Sequence, residues 1–66
     1  MVMPQIGHKV RVKYRNGQEL VGTLVNIYTE ALIYLHFVIK LESGETIDLC
    51  INDASEGVEI VEDLEM

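Results

Sequence analysis

The side chains able to do chemistry in this chain are few and widely spaced. There is one cysteine, Cys50, and there are two histidines, His8 and His36. A thiol nucleophile needs a base within hydrogen-bond reach. No histidine is near Cys50 in sequence, and the two histidines fall on different expected strands. One thiol and two scattered imidazoles make no metal-ligand spacing. Asp48 and the series Glu56, Glu59 and Glu62 could pair as catalytic carboxylates or hold calcium. The Asp-x-Asp-x-Asp-Gly loop is missing, however, and the acids read as a solvated face. No glycine-rich phosphate loop occurs. These residues point away from an enzyme, and no cofactor or metal is expected.

Binding chemistry has better candidates. Lys9, Arg11, Lys13 and Arg15 recur at every second position. Such a stripe suits a phosphate backbone (RNA) or an acidic partner, and it equally suits a soluble strand face that pairs with nearby acids. Tyr14 has the opposite parity, so the stripe carries no aromatic platform for base stacking. Tyr28 and Tyr34 could line a pocket between subunits, or pack their rings and wet their hydroxyls. His36, among Leu32, Tyr34 and Val38, reads as a hydrogen-bonded structural histidine or as a pH-sensitive interface residue.

The elements that must position these residues come from one short chain. Sixty-six residues make a single domain, 1–66, with an acidic tail at 62–66. A chain this small buries only about 60% of the surface exposed when unfolded. Domains of this size usually add disulfides, a metal or a partner subunit, and a lone cysteine cannot make an internal disulfide. The expectation is therefore a tight core, a homo-oligomer, or both. Apolar residues are 48% of the chain, enough for a core and too many for disorder. The longest apolar run, residues 31–39 broken by His36, is well short of the roughly 20 residues that span a membrane as a helix. Met1–Ile6, interrupted by Pro4 and Gln5, does not read as an export signal, so the expected compartment is the cytoplasm. The net charge of −6 opposes nonspecific nucleic-acid binding, whose affinity comes from neutralised phosphates.

Periodicity supplies the strands. Residues 8–15 alternate, with Val10, Val12 and Tyr14 on one face and the basic residues on the other, as in a half-buried strand. Asn16-Gly17 then predicts a type I′ hairpin turn, which needs positive φ at both central residues. Residues 18–28 form the return strand. Gly22 in its middle marks a bulge, a bend or a close backbone approach. Thr29-Glu30 reads as a turn, and 31–42 as a third strand rich in β-branched and aromatic residues. Its two faces are Ala31, Ile33, Leu35, Phe37, Ile39 and Leu32, Tyr34, His36, Val38, Lys40. One face is wholly apolar and the other largely so. Sixty-six residues offer little to cover both, so Ile33 and Phe37 are predicted to lie at a subunit interface. A charge at either should change the solution mass. Ser43-Gly44 predicts another tight turn. Residues 45–51 alternate with Ile47, Leu49 and Ile51 inward and Thr46, Asp48 and Cys50 outward. Asn52–Gly57 is a polar loop, and Val58–Val61 is a fifth short strand, with a short helix from Ser55 as its competitor.

Five short strands with tight hairpins and a mid-strand glycine describe an all-β, five-stranded SH3-like or Sm-like barrel. In such barrels the last strand lies beside the first. That would bring Glu59 and neighbouring acids against the basic stripe, each opposite-charge pair contributing about 0.2–1 kcal/mol. The stretch VRVKYRNGQELVGTLVNIY resembles the first sequence motif of the Sm-like proteins, including the bacterial Hfq proteins, through Asn16-Gly17, Leu20, Gly22, Leu24 and Ile27. The resemblance covers residues 10–35. It implies the barrel and a ring-forming habit. The family's base-binding aspartate and asparagine align with Tyr28 and Leu32, and its second motif is only partly echoed in Leu49-Cys50-Ile51-Asn52. The tyrosine and Lys-His signature of Hfq is missing. The resemblance therefore does not carry an RNA site onto this chain.

Three functions follow as expectations. The first is a self-associating interaction module that presents an acidic surface to a basic protein partner, with a mobile-element inhibitory protein as a variant. The second is an Sm-like RNA-binding ring that uses the basic strand. The third is a small-ligand or nucleotide-binding oligomer with Tyr28, Tyr34 or His36 in a pocket between subunits.

Overall fold

The structure, a computed structural model, describes residues 3–66. It contains five strands: β1 (Lys9–Tyr14), β2 (Glu19–Glu30), β3 (Tyr34–Leu41), β4 (Thr46–Cys50) and β5 (Val58–Asp63). They form one antiparallel sheet in the order β4-β3-β2-β1-β5. The fold is all-β, as the alternation predicts, and the last strand does lie beside the first. Every strand sends residues to a single core: Val10 and Val12, Leu24, Phe37 and Ile39, Leu49, and Val58. Strands β4 and β5 stand at opposite ends of the hydrogen-bonded order, yet they share this core, so the sheet is curled round it in a barrel-like manner. No helix among the described residues is long and apolar enough to cross a membrane.

The two glycine hairpins are built alike, and not as type I′ turns. Gly17 N–H donates to Tyr14 O and Tyr14 N–H to Gln18 O; Gly44 N–H donates to Leu41 O and Leu41 N–H to Glu45 O. Both are three-residue loops that end on a glycine at φ +91°. Asn16 keeps a negative φ. Its Oδ1 accepts from Gln18 N–H at 2.9 Å, the local bond that suits asparagine to a turn.

The third hairpin carries the unexpected geometry. Thr29 and Glu30 belong to β2, paired with Leu35 and Tyr34. The chain turns at Ala31 and Leu32 instead. These are the only non-glycine residues with positive φ among the described ones, at 53° and 63°. Ile33 N–H closes the turn onto Glu30 O. Left-handed backbone costs an L-residue about 1–2 kcal/mol, and Ala-Leu lacks the Asn-Gly chemistry that relieves it. Replacing Ala31-Leu32 by Asn-Gly should therefore raise stability by about 1–3 kcal/mol. At about 4–8 °C per kcal/mol for a domain of this size, that is readable in a thermal melt. An unchanged melting temperature would show that the turn is unstrained.

Gly22 is buried against β3, and the bulge of β2 falls beyond it at Val25, where the register slips between Leu24 and Asn26. A second bulge, in β5, sets Glu59 between Val58, opposite Tyr14, and Ile60, opposite Lys13. The loop expected at 52–57 holds a short 3-10 turn at Ala54–Glu56, capped by Asp53 at its start and left-handed Gly57 at its end.

Three further expectations need correction. Phe37 is 1% exposed and belongs to the core, not to a subunit interface. Cys50, expected outward, is buried, because the 52–57 loop folds back over it; its N–H reaches Glu56 Oε1 and its thiol donates to Asn52 Oδ1. The acidic tail is largely structural, since β5 runs through Asp63. The Asp63 carboxylate accepts from Gln5 N–H and Glu65 N–H and lies 2.9 Å from His8 Nδ1. Burial pushes its carboxyl pKa up, but these bonds outweigh burial and hold it below the usual range.

Candidate functional site

Three strands bring four polar side chains together on the outer face of the sheet. Tyr28 on β2 is paired with His36 on β3, and His36 with Cys50 on β4, so Asp48 lies one diagonal step away. Glu30 is two residues beyond Tyr28 on the same face of β2. The Tyr28 and His36 rings stack with centroids 4.6 Å apart and planes at 8°. His36 Nδ1 lies 2.8 Å from Asp48 Oδ1, and His36 Nε2 lies 3.0 Å from Glu30 Oε1. Tyr28 donates its hydroxyl proton to Asp48 Oδ2.

The protonation logic follows from this geometry. Only the imidazolium can donate from both ring nitrogens, and each nitrogen here faces a carboxylate. The hydrogen bond to Asp48, then that to Glu30, raises the His36 pKa above its ordinary value against the opposing effect of desolvation. The Tyr28 hydroxyl, bound to Asp48, is pushed up to about 12. Asp48 is held below the usual carboxylate range, first by Tyr28 and then by His36. A cation held between two carboxylates fixes the end of the β2–β3 hairpin to β4. Because the folded-state pKa of His36 is raised, its contribution to stability is full below about pH 6.5, the ordinary histidine value, and fades as pH rises through the folded value. Asp48, lowered, contributes above the ordinary aspartate range and fades as pH falls through its folded value. An NMR titration of the His36 ring should thus give a midpoint above 6.5 that falls in Asp48→Asn. A midpoint unmoved by that substitution would remove Asp48 as the partner.

The arrangement can hold a proton and order a hairpin. Both His36 nitrogens face carboxylates and Cys50 donates its thiol proton to Asn52, so the cluster contains no thiol–imidazole pair. Among the described residues no three histidine, cysteine or acidic side chains converge as metal ligands. The Tyr28 ring and hydroxyl are engaged by His36 and Asp48.

The hairpin projects from this cluster. Leu32 is 93% exposed and Ile33 64%, and Tyr34 is also exposed at the base opposite Glu30. Asn52 anchors the tip, donating from Nδ2 to Ile33 O at 2.6 Å and accepting Leu35 N–H at 2.9 Å.

The basic stripe lies on the far side of the sheet order, between β2 and β5. Arg11 is engaged by Glu19 at 3.5 Å and Glu62 at 3.7 Å. The acid opposite the stripe is therefore Glu62, because the bulge takes Glu59 out of register. Among the described residues Lys9, Lys13 and Arg15 enter no ion pair. The structure thus gathers Tyr28, His36, Tyr34 and Ile33 in one region, moves Phe37 into the core and leaves Lys9, Arg11, Lys13 and Arg15 apart from them. Glu30 is the cluster member that the sequence does not single out, and Asp48 stands out there only among the candidate carboxylates, not as a partner of His36. The Ser43-Gly44 loop, once its length is fixed, places Asp48 diagonal to His36. Glu30 has no such signal, since the Ala31-Leu32 turn has no sequence mark. Compared with protein-family models, curated proteins and solved structures, the chain matches none.

Proposed function

We propose that this protein is a non-enzymatic interaction module of the cytoplasm, which docks through the β2–β3 hairpin tip and surrounds that contact with acidic surface. The observation that carries this reading is the turn itself. Leu32 stands almost fully exposed on strained left-handed backbone, where a polar Asn-Gly would be cheaper both in conformation and in solvation. A residue that costs stability in two ways is accounted for by a contact it makes with something else. The His36 bridge supports the reading, because it holds the hairpin in place before docking and so lowers the ordering cost of association. With net charge −6 and Arg11 already neutralised, the partner surface is apolar at its centre and basic at its rim.

A photo-reactive residue at Leu32 should crosslink to protein, either another copy or a different chain. The same residue at Gln18, exposed at the β1–β2 turn, should not. Equal labelling from the two positions would sink the reading.

A second reading is an Sm-like RNA-binding ring. Its support is the strand order together with Lys9, Lys13 and Arg15, which are free of ion pairs among the described residues. Retention of short U-rich or A-rich RNA on a filter at low salt, lost at high salt, is its expected signature. No retention at low salt ends it.

A further inference from the structure

On the proposed reading of the hairpin tip as a docking element, we infer that its occupant is the apolar cleft of a second copy of the same chain, each tip seated in the other's cleft about a two-fold axis. The cleft lies between the N-terminal segment and β5. Its volume is about 170 Å³ and its lining includes Met3, Pro4, Phe37, Ile51, Val58 and Ile60. The buried Phe37 ring forms its floor, and exposed Met3 and Ile60 form its lips. Glu59 is the charged residue among those lining it. One chain therefore carries both an exposed apolar projection and an open apolar recess. Leu32 is an aliphatic knob, and the recess is large enough for one such side chain.

Charge selects the same pairing. Lys13 is the cross-strand partner of Ile60, which lines the cleft, so one cation stands beside it. Lys13 enters no ion pair among the described residues. The tip brings Glu30 at its base and Asp48 behind it. These two carboxylates share the single His36 imidazolium, so tip on cleft sets a net negative cluster beside unpaired Lys13 and offsets the repulsion from Glu59. Tip and cleft are also linked through one residue pair: Asn52 holds Ile33 O, and its neighbour Ile51 lines the cleft. Tip and cleft thus adjoin through consecutive residues, so that one two-fold axis can seat each tip in the other's cleft.

The test is solution mass by light scattering during size exclusion. The wild-type protein should give twice the 7.5 kDa chain mass. Leu32→Glu and Ile60→Lys, both at exposed positions, should each fall to the mass of one chain with an unchanged circular dichroism spectrum. Mixed in equal amounts they should recover the doubled mass, since one contact is then native and the other joins glutamate to lysine. A wild-type protein that stays monomeric at its highest soluble concentration overturns the inference, as does a ring of higher mass or a Leu32→Glu variant that remains a dimer. Should a variant unfold, a photo-reactive residue at Leu32 in the purified protein decides: crosslinks must map to residues 58–61 of another copy, and crosslinks elsewhere refute the cleft. A monomeric pure protein whose Leu32 probe labels a different chain in lysate would leave the docking reading standing and remove only the self-pairing.

Discussion

Gly22→Val is expected to leave most of the protein unfolded at room temperature. A Cβ at position 22 would sit 2.6 Å from Lys40 O and 2.7 Å from Ile39 Cγ2. The first is backbone of the neighbouring strand and the second belongs to a fully buried core residue, so neither can move without opening the β2–β3 pairing. Two effects compete for alanine at this position. Removing a glycine from a strand stabilises by about 0.4–1 kcal/mol through the unfolded chain. Overpacking a tight site costs about 1–3 kcal/mol or more, so the clash wins. Valine adds two further carbons to the same space. A domain of this size holds only about 3–5 kcal/mol in all. In urea titrations followed by circular dichroism, Gly22→Ala should move the midpoint clearly down and Gly22→Val should abolish the folded baseline. Gly17 is the control. It has positive φ but nothing within 4 Å, so Gly17→Asn meets only the strain of left-handed backbone, which asparagine tolerates best, and should lower the midpoint far less than Gly22→Val. A Gly22→Ala protein as stable as the parent would show that β2 and β3 do not approach so closely.

The sequence makes Gly22 conspicuous without saying which of its three uses applies, and this typifies what can be read from it. Alternation locates β1 and β4, because a period of two needs only the local chain, and turn residues with β-branched and aromatic content locate the other three. Glycine at 17 and 44 locates two turns, because nothing else adopts φ +91° without cost. The kind of turn is a different matter. It depends on how many residues separate the last paired positions, and Asn16-Gly17 fits both a two-residue and a three-residue loop. The Ala31-Leu32 turn is invisible for a stronger reason: its residues disfavour the conformation they adopt, so local preference points elsewhere and the pairing of β2 with β3 overrides it. With that turn unplaced, the register that puts Tyr28 on His36 and Glu30 at its Nε2 is also unplaced. The candidate site was thus legible only as separate outward-facing residues. Cys50 shows a further limit. Its parity is outward in β4, and it is buried only because a loop from later in the chain covers it.

Phe37→Ala should cost about 3–5 kcal/mol, close to the whole stability of a domain this small, while Ile33→Ala should stay within about 0.5 kcal/mol of the parent. The two residues share a parity in one apolar run, and alternation alone treats them as equivalent. The curl of the sheet separates them. Strand β3 leaves the core as it approaches the hairpin, so its inner face passes from Ile39 and Phe37, fully buried, through half-buried Leu35, to the turn at Ile33, which is mostly exposed. A charge at Phe37 would therefore unfold the chain and report nothing about assembly, whereas changes at Leu32 or Ile33 report on docking with the fold intact. Phe37→Leu is the informative intermediate. It should keep the fold at a cost of order 1 kcal/mol while deepening the floor of the cleft. If Leu32 of a second copy seats there, this variant should weaken the dimer although position 37 lies on no exposed surface. Dimer dissociation measured by dilution, set beside urea unfolding of the same protein, separates the two effects. A dimer unchanged in Phe37→Leu would argue that the tip does not reach the cleft floor.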